Sequence, residues 1–132
     1  MPDSLASSIN KHLLFDALKA IREARNEVLW KPNKGILHLT KRIRLGHLPA
    51  KATLTDYEGI IGGVLNSGKA KLYLFSYKSK AYPTLMAEVS SEYWLVMIGL
   101  DGVMETAFPP DDPEDYLADP AFIYVGVMEE LE

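Results

Sequence analysis

The chain of 132 residues contains no cysteine, so neither a disulfide framework nor a thiolate metal site is open to it. Folding is then indifferent to redox compartment, which leans towards a cytoplasmic site of action. The longest apolar run, around Tyr93 to Leu100, is far short of a membrane span, which needs roughly 20 residues. The N-terminus lacks a basic start followed by an apolar core, so no targeting segment and no membrane association are expected. Glycine-rich phosphate loops of the GxxxxGK[ST] or GxGxxG type are absent, as are HExxH and GxSxG. Three histidines without cysteine do not match zinc spacing. Neither a metal nor a cofactor is expected. The last absence is one of charge: no Lys or Arg follows Lys80.

That absence makes the formal net charge of -4 misleading. All 14 Lys and Arg lie between Lys11 and Lys80 with only six acids up to that point, a balance of +8; from residue 81 there are 12 acids and no cation. His12, His38 and His47 also lie in the basic part. A basic face bearing histidine suits phosphate, since the local field and not net charge governs what approaches a cleft. The competing reading is that the two halves neutralise each other across the fold. At 48% hydrophobic and 24% charged, the composition is that of one globular domain over 1–132.

Helical spacing of Leu5, Ile9, Leu13, Ala17, Ile21, Ala24 and Val28 predicts one amphipathic helix over 4–29, capped by Asp3 or Ser4 and stopped by Pro32 and Gly35. ILHLTKRIRL predicts a short helix with Ile36, Leu39 and Ile43 on one side and His38, Lys41 and Arg42 on another. Thr55 and Glu58 have capping-box spacing ahead of a helix that ends in NSG, and close packing against another backbone would explain Gly62 and Gly63. After Gly68 the period changes to two, and KLYLFSY, TLMAEVS, YWLVMIG and VMETAF read as strands, with FIYVGVM as a final one. Asp101-Gly102 marks the clearest hairpin, and FPPDDPEDYLADP reads as a loop with one helical turn. Helices over about 4–66 followed by a four- to five-stranded antiparallel meander over about 70–128 make the class α+β.

The residues able to do chemistry are histidines beside cations. His38 and Arg42 are four apart and share a helix face, with Lys41 beside them and His47 just beyond the end. Cleavage of RNA needs this set: an imidazole to move the 2′-hydroxyl proton, and a cation to stabilise the phosphorane. The alternative for His38 is a half-buried helix residue, and for the cations a solvated face. Tyr57, Tyr73, Phe75, Tyr77 and Trp94 are candidates for stacking on bases, although Phe75 and Trp94 also fit a core. Tyr77 and Lys78, at a strand end, are the best candidates for RNA contact, together with Arg44 and Lys51.

LHLTKRIRLGH, then LTDYEGIIGGVL, then YWLVMIGLDGVMETAFPPDD resembles the barnase, EndoU, colicin D and RelE-like (BECR) ribonuclease superfamily, especially its prophage and polymorphic-toxin branches. The resemblance covers roughly residues 35 to 116. It implies that His38 or His47 is the general base or acid, that Lys41 and Arg42 hold the phosphate, and that Thr106 lies in the same cleft. It also implies metal-independent cleavage of tRNA or other structured RNA to a 2′,3′-cyclic phosphate, delivery as a toxin domain, and an acidic immunity protein as partner. The reading from a different class is a non-catalytic phage or bacterial interaction module that binds a basic partner through the acidic C-terminal half.

Overall fold

The computed structural model describes residues 10–132. Three helices, α1 (Lys11–Asn26), α2 (Lys34–Arg44) and α3 (Leu54–Leu65), precede the strands β1 (Lys71–Tyr77), β2 (Lys80–Val89), β3 (Glu92–Ile98) and β4 (Met104–Phe108). A short helix α4 (Pro113–Leu117), the strand β5 (Phe122–Val127) and a final turn α5 (Met128–Leu131) complete the order. The fold is α+β, with the helices packed on one face of a five-stranded antiparallel sheet.

α1 buries Ala17, Leu18, Ala20, Ile21 and Ala24, of which the three alanines let it sit close to the sheet. Asn10 caps it by accepting from the His12 amide at 2.7 Å. The expected cap at Asp3 or Ser4, and Leu5 and Ile9, lie outside the described residues. The helix also stops before residue 29. Leu29 is extended and bridges to Val103, its carbonyl accepting from the Met104 amide at 2.8 Å, which satisfies backbone at the β4 edge.

The capping box of α3 sits two residues earlier than its expected place. Thr53 accepts from the Asp56 amide at 3.1 Å and Asp56 accepts from the Thr53 amide at 2.9 Å. Starting there adds Leu54 to the core and leaves Glu58 to accept from the Trp30 indole at 2.9 Å. A Cβ on Gly63 would meet the Val89 side chain at 3.2 Å, whereas Gly62 faces open space, so close approach accounts for one glycine of the pair.

The strand order is β4-β3-β2-β1-β5. The first four strands form the expected meander; β5 does not extend it beyond β4 but pairs with β1 at the opposite edge. Residues 109–121 therefore cross the whole sheet on the face away from the helices. That face carries Met86, Leu95 and Met97, with Tyr73, Phe75, Tyr82 and Phe108 around them, and Leu117 and Phe122 cover it. An uncovered apolar face is what the crossover removes from water.

Candidate active site at the β4 edge

α2 lies alongside β4, and its helical phase differs from the expected one. The inward positions are Gly35, Leu39 and Arg42, while Ile36 is 55% exposed. Gly35 sets this phase: a Cβ there would come within 3.0 Å of the Trp30 ring. Consequently Arg42, which the resemblance has holding phosphate and the competing reading has on a solvated face, is only 4% exposed. Its guanidinium carbon lies 5.5 Å above the Phe108 ring, and its Nε has no hydrogen-bond partner. Among the described residues no carboxylate pairs with it.

His47 is brought to Arg42 by the helix end. Gly46, at φ 80°, allows the left-handed turn of a Schellman motif, in which the Gly46 amide donates to Ile43 at 3.0 Å and the His47 amide to Arg42 at 2.8 Å. The His47 Nδ1 and the Arg42 Nε are the two buried side-chain nitrogens without a partner among the described residues. Burial, and then the Arg42 cation, hold the His47 imidazole below its ordinary value, while Glu92 and Asp111 pull the other way.

His38 stands elsewhere on the same helix. Its ring stacks on Trp30 at 5.3 Å between centroids, and Trp30 stacks on Tyr57 at 5.7 Å. Buried Tyr57 donates its hydroxyl hydrogen bond to the Ala107 carbonyl, and burial pushes that phenol up to about 12. Burial, then Arg42, Lys34 and Lys41, lower the His38 imidazole, with Glu105 opposing.

A cleft of about 530 Å³ opens beside His47. Phe108 and Tyr116, packed edge to face at 5.3 Å, supply aromatic walls, and Asp111, Asp112 and Asp115 supply carboxylates. No Lys or Arg lines it. The cleft joins the end of α2, through Leu45 and His47, to the acidic segment over 108–116, and Lys41 and Arg44 are exposed on the last turn of α2.

The remaining expected site residues are dispersed. Thr106 pairs with Met97, which places it on the sheet face away from the helices; it is half-buried and does not line the cleft. Lys51 is exposed in the loop before α3. Tyr77 and Lys78 form the β1–β2 hairpin end, with the Lys78 ammonium 5.3 Å above the Tyr77 ring. His47 lies at the other end of the sheet, near Glu92 and Phe108, roughly 20 Å away by strand length. Sequence reasoning passed over Phe108, Tyr116 and Trp30. Pro109-Pro110 was the available signal, because two prolines force the chain off the sheet where α2 ends.

Comparison with known protein families, curated proteins and solved structures finds no match. The chemistry must therefore be read from the site. Among the described residues no group of three His, Asp or Glu could hold a metal ion, and no helix is long and apolar enough to cross a membrane.

Proposed function

We propose that the chain is a metal-independent endoribonuclease of toxin type acting on tRNA or similar RNA, with its acid–base chemistry at His47. The observation that carries this reading is the Schellman turn that sets the His47 imidazole beside a buried, carboxylate-free Arg42 at a cleft with aromatic walls. Held below its ordinary value, the imidazole is neutral at pH 7 and can take the 2′-hydroxyl proton. The 2′-oxygen then bonds to phosphorus as the bond to the 5′-oxygen breaks, and the imidazolium returns the proton to that leaving oxygen. The products are a 2′,3′-cyclic phosphate and a 5′-hydroxyl. Phe108 and Tyr116 offer stacking surfaces for a base, and Lys41 and Arg44 offer cations for flanking phosphates. An acidic immunity protein covering that last turn of α2 would block the substrate.

The test is incubation with total tRNA in EDTA. Fragments ending in cyclic phosphate are expected from the parent, with His47→Ala slower by a factor of about 10² or more. His38→Ala, which removes a stacked ring outside the cleft, is expected to stay within about tenfold of the parent. Intact RNA with folded parent overturns the proposal.

One observation favours a second reading. Asp111, Asp112, Glu114 and Asp115 are exposed, and none pairs with a cation among the described residues. A module that binds a basic partner through this segment would retain oligolysine, lose it when these four residues are changed to Lys, and be indifferent to His47→Ala.

A further inference from the structure

The segment over 109–117 has a cleft on each side. Opposite the His47 cleft, against the sheet face away from the helices, lies a second one of about 520 Å³. Strand register places Lys71 and Tyr73 of β1, Glu88 of β2 and Tyr93 of β3 on that face, since Lys71 pairs with Met86 and Glu88 with Tyr93. The lysines Lys69 and Lys71 stand on the β1 side; Glu88 and the 52%-exposed Tyr93 stand on the β2–β3 side, and Glu114 comes from α4. Asp112 lines both clefts, so they meet across a single residue.

Cations on one wall, carboxylates on the other and a tyrosine ring beside each describe an amphoteric ligand with a flat body. A nucleotide has that form: phosphate oxygens at one end, an aromatic base, and on adenine, cytosine and guanine an exocyclic amine that donates to a carboxylate. Uracil has no such amine. We propose that this second cleft is the neighbouring nucleotide subsite of the same RNA strand, taking an amino-bearing base beside the scissile bond. The inference rests on the ribonuclease reading of the His47 cleft.

The experiment uses the full chain, fluorescence anisotropy with non-cleavable 2′-O-methyl oligo(A), oligo(C) and oligo(U), and cleavage of a dinucleotide. The parent is expected to bind oligo(A) and oligo(C) roughly tenfold more tightly than oligo(U). Lys69→Ala/Lys71→Ala weakens binding and flattens the salt slope by about 1.4, the value for two lost phosphate contacts on a single strand, while the double Arg variant retains affinity. Tyr93→Ala loses roughly tenfold. Glu88→Gln/Glu114→Gln removes the preference over oligo(U) and leaves oligo(U) affinity as it was. Cleavage of the dinucleotide, whose second nucleotide also fills this subsite, weakens in KM and keeps its kcat in every variant, and the altered residues are all exposed, so melting temperatures stay near the parent's. Variants that bind like the parent while tRNA is still cut overturn the subsite and leave the ribonuclease standing. A parent that binds none of the oligonucleotides and leaves tRNA intact overturns both.

Discussion

Arg42 carries a charge where its surroundings offer no counter-charge, and the behaviour of both imidazoles follows from it. A buried cation without a partner is a cost to folding, so an apolar residue of similar length in its place is neutral or stabilising. Arg42→Met is therefore expected to melt no lower than the parent. Because Arg42 lowers both His38 and His47, the same change raises them, and the acid limb of the pH–rate profile moves to higher pH. An unmoved limb would remove Arg42 as the cause. His38 has a separate consequence. Its folded value lies below 6.5, so the unfolded chain takes up more protons as pH falls through 6.5. Its contribution is full above that pH and is lost below it, down through the lowered folded value. His38→Phe keeps a ring on Trp30 and removes the titration, so melting temperature should depend less on pH between 7 and 5.5. The residue types at the site were legible in LHLTKRIRLGH. That Arg42 points inward was not, because Gly35 packing under Trp30 sets the phase of α2, and Trp30 lies outside the helix.

The element that places His47 is the end of α2. Gly46→Ala forces a Cβ into a left-handed conformation at a cost of roughly 1–2 kcal/mol. Activity is expected to fall by more than stability does, since the turn directs the imidazole; equal small losses in urea melts and in turnover would separate His47 from the chemistry. KLYLFSY could be read as β1 to the residue, because alternation and aromatic content agree with its two-faced burial. The start of α3 could not be read to the residue, as Thr53 with Asp56 and Thr55 with Glu58 offer the same spacing and only the Trp30 indole chooses between them. Two hairpins of the expected meander turn without the glycine that marks Asp101-Gly102. Lys78-Ser79 and Ser90-Ser91 turn with positive φ at every position and no glycine, held by the strands they join.

At the scale of the whole molecule, the ion pairs among the described residues join the two charge halves. Arg22 and Arg25 bind Glu132, and Lys31 binds Glu105. Arg25 grips Glu132 through two nitrogens, at 2.7 and 3.0 Å, and donates its Nε to the Leu65 carbonyl, tying α1 to α3. The Arg25 hydrogen bond, against the opposing effect of burial, holds the Glu132 carboxyl below the usual range. Arg25→Ala is expected to cost about 1–2 kcal/mol in chemical denaturation. The loss should shrink in 1 M salt, and a loss independent of salt would assign it to packing instead. Composition and periodicity by themselves determined the class, the order of helices and strands, and the segregation of charge, because these depend on neighbours within a few residues. Only the tertiary structure decided that β5 returns to pair with β1, that the acidic crossover lies beside His47, and that Tyr77 and Lys78 stand at the far end of the sheet. Each of those depends on which apolar face must be covered and by what, a condition that no local stretch of sequence contains.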